Sequence, residues 1–217
     1  FLVKEEKILL IAMESEDKKE ITNATKRVIK NCIVGDINID ELPTFDIEYI
    51  FLWLRGKAKG EKIDLKYTCP TCKNTVDIVF NIEDVKIDGV NKHDSKIKLN
   101  DTLGLALKYP TIDLQEKIES LESETEIDKV FKTVLLCVDY IYDNEEIYTA
   151  KDHTEKEMND FLESLTDKQF QEVAKFFETM PKLKHDIKLE CKHRDKKKKV
   201  CGYTEDIVLE GLASFFG

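Results

Sequence analysis

The sequence predicts an α+β fold: a mostly helical lobe with a small antiparallel β unit assembled from two hairpins far apart in the chain. Three observations lead there. Apolar residues recur at i, i+3, i+4 spacing through much of residues 1–60 and 113–180, which gathers them on one side of each helix. Two short stretches, near 61–82 and 185–210, alternate apolar and polar residues, the period of a half-buried strand. Each of those stretches is interrupted by a pair of cysteines where a turn belongs.

The elements follow in order. FLVKEEKILLIAMESED reads as a helix with a dense apolar face ending near Ser15. In the next helix Ile21, Ala24, Val28, Ile29 and Cys32 share one side, so Cys32 reads as a core thiol. Pro43 breaks the chain, and Phe45–Leu54 is apolar almost all round, as in a helix buried within a domain or against a partner. Trp53 on it reads as core, with an interface anchor as the alternative. Gly56 and Gly60 loosen the chain before KIDLKYTC, where Ile63, Leu65 and Tyr67 alternate as a strand, and NTVDIVFNI, where Val76, Ile78 and Phe80 return.

Residues 85–99 are polar with short strands, Asp88-Gly89 marks a turn, and TLGLALKYPT is ambiguous up to Pro110. From Asp113 to Tyr142 the pattern is helical, with Ile127, Val130, Phe131, Val134, Leu135 and Val138 in one stripe and Cys137 in or beside it. Capping boxes open two further helices: Thr154 with Glu157, and Thr166 with Gln169. Pro181 stops the second, and the tail returns to strand pattern. The chain is thereby divided into an N-terminal helical region (1–60), a discontinuous β unit (61–82 with 185–210), a central, mainly helical region (83–184) and a tail (211–217).

The cysteines carry the chemistry. Six cysteines in a long, Lys- and Glu-rich helical chain fit metal ligation in a reducing cytoplasm better than disulfides. I-D-L-K-Y-T-C before Cys69 and I-K-L-E-C before Cys191 run in parallel. Thr75 and Thr204 each stand three residues past the second cysteine, and Asp77-Ile78-Val79 matches Asp206-Ile207-Val208 in register. Two such hairpins can face each other and offer Cys69, Cys72, Cys191 and Cys201 to one tetrahedral ion. Four thiolates favour Zn2+ or iron–sulfur, and zinc needs no redox partner. A site closed by four protein ligands is structural. CPTC has the usual two-residue spacing, whereas KHRDKKKKV separates Cys191 from Cys201; His193 is the alternative ligand in that turn.

The inserted turn clusters Lys192, Arg194, Lys196, Lys197, Lys198 and Lys199 on a chain of net charge −10. Lys196 to Lys199 are candidate nucleic-acid or partner contacts, but no aromatic residues interleave to stack bases, and a solvated loop is the plainer reading. No GxGxxG, P-loop or nucleophile–base pattern occurs, and His93, His153, His185 and His193 stand in polar or loop-like contexts, so the chain reads as a non-enzyme. At 41% hydrophobic and 36% charged residues the balance is globular rather than disordered, and no apolar run is long enough to span a bilayer. No secretory signal is visible, and the chain begins at Phe1 rather than Met, which leaves open what precedes it.

The opening FLVKEEKILLIAMESED, the ELPTFDIEYIFLWLRGKAKGE segment, YTCPTC, IKLNDTLGLALKYPT and the closing CGYTEDIVLEGLASFF resemble the baseplate hub proteins of T-even-type contractile-tailed phages, a family with a hub subunit and a related assembly factor. The resemblance runs from Phe1 to Phe216. The family's second turn is a compact CxxCG; Cys201-Gly202 fits it and the KHRDKKKK expansion departs from it. The resemblance implies a viral protein made in the host bacterial cytoplasm, binding other hub or tail proteins during baseplate assembly. The net charge of −10 speaks against nonspecific attraction to nucleic acid or to an anionic membrane as partner. The alternative is a zinc-ribbon nucleic-acid binder that uses the basic loop 192–199.

Overall fold

The computed structural model describes residues 2–14, 18–90, 93–122, 125–194 and 197–215. In chain order the elements are α1 (Val3–Glu14), α2 (Lys18–Cys32), α3 (Thr44–Lys59), β1 (Lys62–Thr68), β2 (Thr75–Asn81), β3 (Lys86–Asp88), β4 (Lys96–Lys98), β5 (Gly104–Leu107), α4 (Ile112–Glu119), α5 (Glu126–Cys137), β6 (Val138–Tyr142), β7 (Ile147–Thr149), α6 (Glu155–Glu163), α7 (Asp167–Thr179), β8 (Lys182–Glu190) and β9 (Thr204–Glu210). The fold is α+β, predominantly helical with small antiparallel sheets. It divides into two compact units: residues 1–39, 45–88 and 182–217 form one, and residues 40–44 and 89–181 the other.

The first unit holds the site. β1 and β2 form an antiparallel hairpin, and β3, β8 and β9 a three-stranded antiparallel sheet with β8 in the middle. Strand alternation turns Ile63, Leu65, Ile78 and Phe80 of one hairpin and Ile187 and Leu209 of the other into a single cluster with Leu52 and Trp53 of α3. Burying one such leucine fully is worth about 1.5–3 kcal/mol. The Phe80 ring stacks on His185 with centroids 4.5 Å apart. Gly56 of α3 permits close approach: a Cβ there would lie 2.5 Å from Ile82 Cδ1. Phe45–Leu54 is indeed nowhere exposed, with Ile47, Phe51 and Leu52 fully covered. On α2, Ala24, Val28 and Ile29 are buried as their spacing required, and Cys32 is half-buried at the edge of that face.

The second unit pairs β4-β5-β6-β7 in an antiparallel sheet beside α5, α6 and α7. The ambiguous TLGLALKYPT supplies β5, whose four residues are all buried. The helical reading of 113–142 needs correction. α4 and α5 are separate helices, and the chain becomes strand at Val138, where φ −62° and ψ 127° end α5. Val138, Tyr140, Ile141 and Tyr142 favour strand; the last three gain partners on both sides, β5 and β7, and Val138 pairs with Leu107 of β5. The stripe on α5 is core only in its second half: Val134 and Cys137 are buried, while Ile127 and Val130 are 69% and 42% exposed. Burial pushes the Cys137 thiol up to about 12, as for an inert core thiol. Both expected capping boxes form, Thr154 with Glu157 and Thr166 with Gln169.

The β6–β7 turn gives a test. The Asp143 carboxylate accepts the amides of Glu146 and Glu145, each at 2.8 Å, and the Tyr148 hydroxyl at 3.1 Å. The Glu146 and Glu145 amides hold its pKa below the usual carboxylate range. A depressed folded pKa contributes stability above the unfolded value of about 3.9 and loses it as pH falls through the folded value. Asp143→Ala should therefore destabilise the protein at neutral pH, and urea titrations should show the gap to wild type closing as the pH is taken below about 4.

Candidate metal centre

Four cysteines converge at the tips of the two hairpins. The Sγ atoms of Cys69, Cys72, Cys191 and Cys201 all lie within 4.8 Å of one another. Cys69 Sγ is 3.9 Å from Cys201 Sγ, and Cys72 Sγ is 3.6 Å from Cys191 Sγ. A tetrahedron with metal–sulfur distances of about 2.3 Å has edges of roughly 3.8 Å, so the donor set has the dimensions of a tetrahedral thiolate site. All six cysteines of the chain are free thiols, with Cys69 and Cys191 fully buried and Cys72 and Cys201 half-buried.

The backbone explains how unequal spacings produce equal geometry. In the first tip the Cys69 amide donates to the Asn74 carbonyl at 2.9 Å and the Lys73 amide to the Cys69 carbonyl at 2.9 Å. In the second the Cys191 amide donates to Tyr203 at 2.8 Å and the Gly202 amide to Cys191 at 3.1 Å. These bonds correspond one to one along the repeat. The residue after the second cysteine is left-handed in both, Lys73 at φ 61° and Gly202 at φ 69°. The expansion leaves this knuckle intact because it closes on itself: the Cys201 amide donates to the His193 carbonyl at 2.8 Å, and Arg194 bridges Val200. His193 thus gives the turn its carbonyl, and its ring is not among the clustered ligand atoms.

Electrostatics distinguish the four sulfurs. The side chain and amide of Asn74 hold Cys72 down, to about 6. For Cys191 the His193 amide favours the thiolate, but burial and the neighbouring Cys72 sulfur outweigh it and push the thiol up to about 12. The Tyr203 amide likewise favours a Cys201 thiolate, yet burial and the Cys72 and Cys69 sulfurs raise it. Like charges this close oppose one another, and a bound divalent cation would favour the thiolate at each sulfur.

Three residues missed in the sequence support the cluster. The Glu205 carboxylate accepts the hydroxyls of Tyr67 at 2.7 Å and Tyr203 at 2.9 Å, which ties one hairpin to the other just below the cysteines. Tyr67 stands two residues before Cys69 and Tyr203 two after Cys201; that flanking position was the available signal. Of the basic candidates, Lys197, Lys198 and Lys199 are exposed on the expanded turn, and Lys196 lies outside the described residues. Among the described residues no helix is long and apolar enough to cross a membrane.

Gly202 offers a direct check of the knuckle. Its φ of 69° is one that side-chain-bearing residues adopt at a cost of about 1–3 kcal/mol, and Gly202→Val should lower unfolding stability by about that amount in denaturant titrations.

The family model of T4 bacteriophage base plate protein matches residues 1–217, the whole chain. No curated protein and no solved structure is matched. The match spans both hairpins, the four clustered cysteines and the helices between them, and the chain belongs to the T4 bacteriophage base plate protein family.

Proposed function

We propose that the protein acts without catalysis in the assembly or structure of the phage tail base plate hub, through contacts with other hub or tail proteins, and that Cys69, Cys72, Cys191 and Cys201 hold one structural Zn2+. Family membership over residues 1–217 carries the first half of this reading. The four-thiol cluster carries the second. The paired hairpins then form a zinc-ribbon-like unit, and the ion would cross-link two chain segments without leaving a position for water or substrate. The protein would work in the host bacterial cytoplasm while tails are built, and in the virion base plate if it is retained there.

The first experiment is metal content by mass spectrometry. Wild type should carry about one zinc per chain, Cys191→Ser and Cys201→Ser should each lose it together with thermal stability, and His193→Ala should keep it. Wild type purified without metal would overturn the zinc assignment.

A second reading, a zinc-ribbon nucleic-acid binder, rests on the exposed lysines of the expanded turn. It requires salt-dependent binding of a DNA or RNA duplex that weakens when Lys197, Lys198 and Lys199 are changed to Gln. We expect no gel shift even at low salt, because net charge −10 opposes polyanions.

A further inference from the structure

The register of the two hairpins allows each position of one to be compared with its counterpart in the other. Lys62 pairs with Asn81 and Lys184 with Glu210, so β1–β2 superposes in sequence on β8–β9 without a shift. Strand alternation then sorts the side chains into a core-facing and a solvent-facing set.

The core-facing positions barely agree. Ile63 corresponds to His185, Tyr67 to Leu189, Val76 to Glu205, and of the six pairs only Ile78 and Ile207 are identical. The solvent-facing positions agree in six of eight: Lys62 with Lys184, Asp64 with Asp186, Lys66 with Lys188, Thr75 with Thr204, Asp77 with Asp206 and Val79 with Val208. All are exposed apart from the half-buried Lys184.

This is the reverse of what folding alone demands. Packing constrains interior residues, whereas exposed ones can usually be changed within about 0.5 kcal/mol. Cross-strand charge attraction is a weak explanation, since among the described residues no ion pair joins Lys66 to Asp77 or Lys188 to Asp206. Val79 and Val208 are 56% and 52% exposed, each opposite an aspartate, and gain nothing there from the core. Asp186 Oδ1 lies 3.2 Å from Lys184 Nζ, and Arg55 of α3 is near enough to Asp64 to feel its charge.

The two faces are also related spatially. Their inner sides share one cluster, which turns the outer sides away from each other. Cys69 touches Cys201 while Cys72 touches Cys191. That exchange of first and second cysteines is what a two-fold axis through the cluster generates.

We propose that the outer faces of β1–β2 and β8–β9 are equivalent docking sites for two copies of one protein partner. Each copy presents an extended segment in which carboxylates alternate with a basic residue around a small apolar contact. The lysine–aspartate–lysine rows of β1 and β8 call for the opposite alternation, and the exposed valine supplies the apolar contact. A protein fits better than nucleic acid because each face sets two aspartates among its lysines, which repels phosphates. The inference rests on the base plate reading.

The test is co-expression with the other base plate proteins of the same phage, with the stoichiometry of the purified complex read by native mass spectrometry. Three variants are needed: Lys66→Glu with Val79→Glu, Lys188→Glu with Val208→Glu, and all four changes together. The positions are exposed, so unchanged metal content and melting temperature certify the fold. Wild type should hold two copies of one partner, each single-face variant one copy, and the combined variant none. Undiminished complex in the combined variant, or dependence on one face alone, overturns the inference and leaves the base plate reading standing. A wild type that binds none of these proteins overturns both.

Discussion

The first unit depends on the meeting of four thiols separated by 119 and 132 residues of chain. Closing so long a loop costs less than its length suggests, because each doubling adds only about 0.6 kcal/mol. The second unit can therefore lie between the two hairpins in sequence at little cost to their meeting. The strands supply hydrogen bonds, the shared apolar cluster supplies burial, and Glu205 joins Tyr67 to Tyr203 beneath the tips. What these cannot supply is a remedy for crowding four sulfurs within 4.8 Å. Neutral thiols tolerate that distance and thiolates repel across it, so a bound cation would change the balance of the whole arrangement.

The sequence carried more of the site than of the central region, and the reason is periodicity. Period-two alternation with cysteines at fixed offsets leaves few foldings that keep Ile63, Leu65, Ile187 and Leu189 inside. The nine-residue separation of Cys191 and Cys201 looked hard to reconcile with a knuckle; backbone bonds from the Cys191, Gly202 and Cys201 amides reconcile it, and no side-chain pattern reports such bonds. Val138–Tyr142 was read as helix because Val134, Leu135 and Val138 extend a helical stripe without interruption. Its conversion to strand is settled by β5 and β7 on either side, a tertiary effect outside any local window. Glu205 was illegible for a related reason, since nothing in its neighbourhood names Tyr67, 138 residues away.

The two units differ in what stabilises them. The second rests on an apolar cluster drawn from α5, α6, α7 and its sheet, with stacked rings such as Phe131 on Phe170 at 4.4 Å. The first has a smaller cluster, with one two-stranded and one three-stranded sheet. An isolated two-stranded hairpin is marginal in water, and a cross-link at its tip would be of most use there.

The placement of residues 89–181 between the two halves of the first unit also sets an order in time. At synthesis rates of about 5–20 residues per second, roughly 6 to 24 s separate Cys72 from Cys191 on the ribosome, given their 119-residue spacing. During that interval residues 89–181, the bulk of the second unit, are made, while the first two thiols wait without the other pair. Closure of the cysteine cluster is thus a late event of biogenesis. A chain interrupted between residues 181 and 191 contains an entire second unit and only half of the knuckle pair, so closure of the first unit reports that translation has passed residue 201.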